Sequence, residues 1–254
     1  MTTQERIQSR ILLVEDTFKD VAGSPLEESY QELVTRLDSF DQEFISLAYE
    51  AASFKIAGHY IKSEPNKWVD FLDNYSQIHS VQVHIGLGWA IGKVRLPFNE
   101  VLDFVKRDNL RYVADGLGFF YGTLRRRKVI EEQARISNLE GYELYFDEGL
   151  GRSLWYSSGG DLMAVKDIID KFDEVRQRFL WRGIGIAFTY AGGFDSDTTK
   201  VLKQVCGKHV NDVCNGVASV IRSRSKAGTV NDYAIAASRE ICGCEIEALE
   251  RLFP

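Results

Sequence analysis

Two patterns of apolar residues alternate along the chain. In one, apolar side chains recur every three or four positions, as at Tyr30, Leu33, Val34 and Leu37, the spacing of an amphipathic helix. In the other, a dense apolar run is interrupted by glycines and followed by aromatics, as from His84 to Val94. After residue 26 the pattern predicts a helix through Leu37. Another, capped by Asp41, carries Phe44, Ile45, Ala48, Tyr49, Ala52, Phe54 and Ile56. Glycine-bearing helices are then expected over His84 to Val94, Asp115 to Arg125, Asp147 to Tyr156, Arg182 to Ala191 and Asn215 to Arg224. Between them the spacing predicts polar or amphipathic helices near Trp68 to Leu72, Glu100 to Arg107, Lys128 to Ile136 and Thr198 to Val213. A long one is capped by Asp161 and runs through Phe179, and the last covers Asn231 to Phe253. The alternation Val81-Gln82-Val83-His84-Ile85 also admits a strand, but the flanking amphipathic helices favour helix.

The glycine segments share a small-apolar-small triplet: Gly86-Leu87-Gly88, Gly116-Leu117-Gly118, Gly149-Leu150-Gly151 and Gly183-Ile184-Gly185. Looser copies stand at Ala51-Ala52-Ser53 and Gly216-Val217-Ala218. Their starts, 51, 86, 116, 149, 183 and 216, lie 35, 30, 33, 34 and 33 residues apart. A period near 33 suits a helix-turn-helix unit. Glycine inside a helix costs about 1 kcal/mol relative to alanine, so its recurrence implies close approach of neighbouring helices. The expected fold is all-α, a helical repeat of about 33 residues, with six glycine-bearing inner helices paired with amphipathic outer ones. Residues 1–25 read as an N-terminal arm ending at Gly23-Ser24-Pro25, and residues 26–254 as one helical-repeat domain.

Composition narrows the picture. A hydrophobic content of 44% with 15 Phe and 11 Tyr supplies a real core. The net charge of −6 argues against non-specific binding to nucleic acid. Arg125-Arg126-Arg127-Lys128 reads as a solvated helix end. Met1 to Arg10 is polar and lacks a secretory pattern, and no apolar run reaches the ~18 residues of a spanning helix. A cytoplasmic protein is the resulting expectation. Cys206, His209, Cys214, Cys242 and Cys244 match no usual zinc spacing, so no metal and no cofactor is expected.

Chemistry is sought where the repeat lines residues up. The position before each triplet holds Glu50, Ile85, Asp115, Glu148, Arg182 and Asn215. Charges at the edge of apolar helices are costly when unpaired, so Arg182 is expected to answer Asp115 or Glu148. These three are the candidate catalytic residues. A simpler account is acidic charge favouring the helix dipole, which suits Asp and Glu but not Arg182. Trp89, Phe119, Tyr121, Arg152, Trp155 and Tyr190 are the candidate ligand contacts, lining a cavity for an apolar small molecule; core packing accounts for the aromatics equally.

Several segments together resemble the UnbL-like family, found in enediyne polyketide biosynthetic clusters and in other bacteria. They are Ala48-Tyr49-Glu50-Ala51-Ala52, His84-Ile85-Gly86-Leu87-Gly88-Trp89-Ala90 and Asp115-Gly116-Leu117-Gly118-Phe119. Asp147-Glu148-Gly149-Leu150-Gly151-Arg152-Ser153-Leu154-Trp155, Trp181-Arg182-Gly183-Ile184-Gly185, Tyr190-Ala191-Gly192-Gly193 and Arg222-Ser223-Arg224-Ser225-Lys226-Ala227-Gly228 complete the set. One departure is Phe120, where the family pattern carries a histidine. The resemblance is to a family of unassigned biochemical role and implies secondary-metabolite biosynthesis on a polyene or polyketide-derived substrate; acid-assisted cyclisation or isomerisation is expected from Asp115 and Glu148 set among aromatics. The partners it leaves open are a second copy of the chain or other biosynthetic proteins. The alternative is a non-catalytic scaffold or carrier of a lipophilic ligand, because repeat arrays are mostly binding surfaces.

Overall fold

A computed structural model of the chain describes residues 1–26 and 29–252. The chain is 77% helical; the described residues form thirteen α-helices with short 3₁₀ and π turns between them and contain no strand. The all-α expectation therefore holds, and Val81-Gln82-Val83-His84-Ile85 belongs to a helix.

The six glycine-rich or small-residue segments lie in α3 (Ile45–Tyr60), α5 (Ser80–Val94), α6 (Leu110–Leu124), α7 (Glu143–Ser157), α9 (Glu174–Ala191) and α11 (Val210–Ala227). The five most extensive helix–helix contacts join each of these helices to the next in that order. The reason is visible at the glycines. A β-carbon on Gly149 would overlap the Asp115 carbonyl oxygen, and one on Gly183 the Glu148 carbonyl oxygen. Only hydrogen fits, so backbone meets backbone. The packing is parallel: Gly118 faces Phe146 and Gly122 faces Ser153, partner numbers rising together.

The row curves back on itself. Gln82 of α5 exchanges two hydrogen bonds with Ser223 of α11, at 2.8 and 3.0 Å. Arg224 of α11 donates to the carbonyls of Glu43, Thr229 and Tyr190. All six helices contribute to the wall of one cavity.

The residues read as an N-terminal arm form α1 (Thr3–Gly23), opened by a capping box between Thr2 and Glu5. Its stripe of Ile7, Ile11, Val14 and Val21 is buried. Arg10 donates to the Ala191 carbonyl and pairs with Glu43; Arg6 donates to the Gly193 carbonyl and Gln4 to the Gly159 carbonyl. These carbonyls close α7 and α9, so α1 lies across the C-terminal ends of those two helices. Phe18 packs there with its ring tilted, 5.5 Å from Phe54 and 5.2 Å from Trp89.

The connecting segments are less regular than expected. α2 (Tyr30–Leu37) and α4 (Pro65–Tyr75) join the first turns. The helix expected from Glu100 to Arg107 is replaced by short 3₁₀ turns at Phe98–Val101 and Arg107–Asn109. Phe98, Val101 and Val105 keep helical spacing, yet they only anchor the turns to the core. The segment from Lys128 to Ile136 holds a single π-turn at Arg127–Glu131. Asp161 caps only α8 (Leu162–Ile169), because Asp173 then caps α9 by accepting from the Arg176 N–H at 3.0 Å. The segment from Thr198 divides into α10 (Ser196–Cys206) and α11. The last splits into α12 (Asp232–Ala237), a π-turn at Ser238–Cys242 and α13 (Ile246–Leu252). Its expected end at Phe253 lies outside the described residues.

Candidate functional site

The cavity has a volume of about 410 Å³, within the range of small-molecule sites. α6 and α7 supply half of its charged side chains. Asp115 lies on α6, one turn before Phe119, and Arg152 on α7, one turn after Glu148. That spacing puts each pair on one helical face. The Arg152 guanidinium pairs with Asp115 and lies 4.9 Å above the Phe119 ring. Asp115 keeps its second oxygen, Oδ2, without a hydrogen-bond partner.

Glu148 answers a different cation. Arg182 Nε lies 2.7 Å from Glu148 Oε2, but neither atom completes a directed hydrogen bond. The contact is Coulombic, with the N–H turned away from the oxygen. Glu50, on α3, faces the same cavity and has neither hydrogen bond nor ion pair among the described residues. The three carboxyls are 3–5% exposed.

Burial dominates their protonation. Desolvation pushes Glu50 up to about 7; Arg152 opposes the rise and Asp115 adds to it. Desolvation likewise pushes Glu148 up to about 7, against the pull of Arg182. Asp115 is raised by burial and held back by Arg152. Glu50 and Glu148 are therefore the two acids placed to carry protons near neutral pH.

The rest of the wall is aromatic. Trp89 lies 4.9 Å from Phe119, and Phe119 lies 5.6 Å from Tyr156. Burial raises the Tyr156 phenol and pushes Tyr190 up to about 12, so both stay protonated. Trp89 Nε1 and the Tyr190 hydroxyl are buried without hydrogen-bond partners. At the mouth, Glu15 and Lys19 of α1 face the cavity and pair with each other at 2.9 Å.

The expected residues divide accordingly. Asp115, Glu148, Trp89, Phe119, Arg152 and Tyr190 line the cavity. Arg182 stands behind Glu148 and not on the lining. Tyr121 packs against Phe146 and Phe120, and Trp155 against Phe188, both away from the cavity. Asp115 is answered by Arg152, so Arg182 serves Glu148 alone by direct contact. Glu50, Tyr156 and Phe18 join the site without having been singled out; Glu50 already shared the pre-triplet position of Asp115 and Glu148.

The described residues hold no group of three or more His, Cys, Asp or Glu side chains placed to bind a metal ion. No described helix is long and apolar enough to cross a membrane.

The chain matches the family described as "Protein of unknown function (DUF1702)" over residues 4–253, and it belongs to that family. No curated protein and no solved structure matches it.

Proposed function

We propose that this member of the DUF1702 family takes an apolar polyene or polyketide-derived molecule into its central cavity and assists its cyclisation or isomerisation by proton transfer. The observation that carries the reading is the placing of Glu148, pushed up to about 7, in an aromatic-walled cavity. A carboxyl that holds its proton near neutral pH can protonate an alkene or a leaving group without an external acid. In this reading Glu148 is the acid. Asp115 with Arg152 provides fixed charge beside it, and Arg182 sets its proton affinity. Aromatic faces at Trp89, Phe119 and Tyr190 stabilise positive charge that develops on the substrate.

The six inner helices are read here as copies of one unit of about 33 residues. Such an array would bring its pre-triplet acids to one level. A place in enediyne-like secondary metabolism, a cytoplasmic location and biosynthetic partner proteins rest on the sequence resemblance and remain proposals.

A specific observation favours a second reading, a lipophilic-ligand carrier. Two of the three acids already have guanidinium partners, Arg152 and Arg182, so they are partly neutralised as wall components. The purified protein, incubated with lipophilic extracts from its own genomic neighbourhood and followed by mass spectrometry, separates the two. The catalytic reading expects a new product, lost in Glu148→Gln with the fold intact. Retention of a ligand without conversion supports the carrier. Full turnover by Glu148→Gln overturns the assignment of the acid.

A further inference from the structure

We propose that the end of the molecule where α3, α5, α6 and α7 finish is a docking surface for an anionic lipid bilayer, which sets the cavity mouth against the membrane. Docking stands on the charge of this surface and needs neither a ligand in the cavity nor proton transfer by Glu148.

The four helices end together. A β-carbon on Gly86 would meet Ser53 and Phe54, one on Gly92 would meet Phe120, and one on Gly122 would meet Ser153. Followed from these contacts to the C-caps at Ile61, Arg95, Arg125 and Ser158, each helix ends within about a turn of its neighbour. The cavity opens beside these ends, because its exposed lining residues are Lys19, Thr123 and Ser157.

Five cations stand here: Lys62, Lys93, Arg95, Arg125 and Arg126. Arg126 donates to the Ser157 hydroxyl at 2.9 Å, and Lys93 Nζ lies 4.7 Å from the Phe54 ring. The acids that follow these helix ends are engaged elsewhere, Glu64 with Lys67 and Glu132 with Arg127, while Lys128 offsets the charge of Glu131. Helix C-termini attract cations, but four ends at about half a charge each amount to about two, fewer than the five cations. The surface therefore stays positive on a chain whose net charge is −6. α1, across the mouth, carries Glu15 paired with Lys19 and the exposed Asp16 and Asp20, so the positive field lies on the α5 and α6 side.

Apolar residues at the same mouth select the partner. Leu124, 58% exposed, stands between Thr123 and Arg125, and Leu12 shares the α1 face of Glu15 and Lys19. A soluble polyanion gains nothing from an exposed leucine. A bilayer takes the leucine into its interface while the cations meet anionic headgroups. No described helix is long and apolar enough to cross a membrane, so the contact is peripheral.

The test is co-sedimentation of the full chain with vesicles of phosphatidylcholine, alone or mixed with phosphatidylglycerol, at low and high salt. Binding is expected to the mixed vesicles only, and it should weaken as salt rises. Arg95→Glu with Arg125→Glu, and separately Lys62→Glu with Lys93→Glu, should each weaken binding about tenfold or more. Lys106→Glu with Arg107→Glu, exposed at the opposite end of α6, should change it far less. Leu124→Ser should weaken it about three- to tenfold and leave the salt dependence as it was. Equal binding to both kinds of vesicle, or an equal loss from the pair at the opposite end, overturns the surface. Retention on heparin without sedimentation with vesicles overturns it in favour of a soluble polyanion. No sedimentation with the mixed vesicles at low salt overturns it outright and leaves the cavity reading as it stands, because the assay contains no cavity ligand.

Discussion

Asp147 and Glu148 are neighbours on one helix, yet they belong to two different regions of the molecule. Asp147 points away from the cavity and takes two hydrogen bonds from Arg176, at 2.9 and 2.6 Å. Arg176 spends a further donor on the Gln133 carbonyl, and its guanidinium lies over the Phe172 ring. Glu148 points into the cavity, where one guanidinium touches it without a directed hydrogen bond. Burial raises both acids, but only Glu148 is driven as far as about 7. The difference lies in satisfaction. A carboxylate gripped by a bidentate arginine holds the fold together, whereas one left under-partnered can exchange a proton.

The largest effect expected from this contrast is on the structural side. Arg176→Ala leaves Asp147 buried without its partner, and removing one member of such a pair costs about 3–5 kcal/mol. Chemical denaturation should show a large drop in midpoint. A near-neutral result would erase the distinction between the two regions.

The cavity side should reveal itself through pH. Glu50 and Glu148 both hold their protons more tightly folded than unfolded, so the folded state is favoured at low pH. That stability is fully present below about 4.5 and is lost as pH rises toward and past about 7. Each shift is worth on the order of 3 kcal/mol. Buried His79 and His84, each lowered to about 4, act in the opposite direction below about pH 6.5, so the test is the difference between two chains: Glu50→Gln should gain stability relative to the wild type as pH rises from about 4.5 to about 7. A difference that does not change with pH would contradict it.

Gly183→Leu asks whether Glu148 is held by helix contact. Its new side chain meets the Glu148 carbonyl and the Arg152 N–H, both backbone, so relief requires the helices to part. A loss of about 1–3 kcal/mol or more is expected. An unchanged denaturation midpoint would count against the close approach.

Much of this was legible in the chain, for identifiable reasons. The small-residue triplets, four of them holding two glycines, marked six helices because glycine inside a helix is tolerated only where something must come near. The acids before the triplets were visible for the same reason. What pairs with what was not legible. Arg182 stands just before a triplet, as Asp115 does, but Arg152, one turn beyond Glu148, reaches Asp115 across the helix contact. Only the packed register reveals that. Glu50 was visible as an acid, while its isolation depends on what does not reach it. In α1, Ile7, Ile11, Val14 and Val21 carried the helical stripe, obscured by the polar residues between them. The segment from Glu100 to Arg107 misled in the opposite direction, since spacing that suits a helix also suits a few anchors under short turns.

Arg182→Ala should have the smallest effect on stability, about 1 kcal/mol, because its side chain is 23% exposed and its contact is not a directed hydrogen bond. Its clearer signature is a further rise of the Glu148 pKa, since Arg182 lowers it. Equal losses for Arg182→Ala and Arg176→Ala in denaturation midpoint would mean the two pairs do the same job.

The most direct measurement is a carboxyl titration by carbon NMR on protein labelled at its glutamate and aspartate side chains, with Glu50→Gln, Glu148→Gln and Asp147→Asn used for assignment. Two carboxyl resonances titrating near pH 7 are expected, one vanishing in Glu50→Gln and the other in Glu148→Gln, with neither affected by Asp147→Asn. If every carboxyl titrates in the ordinary range below about 5, the cavity acids are as fully satisfied as Asp147, and the proposed proton chemistry has no carrier.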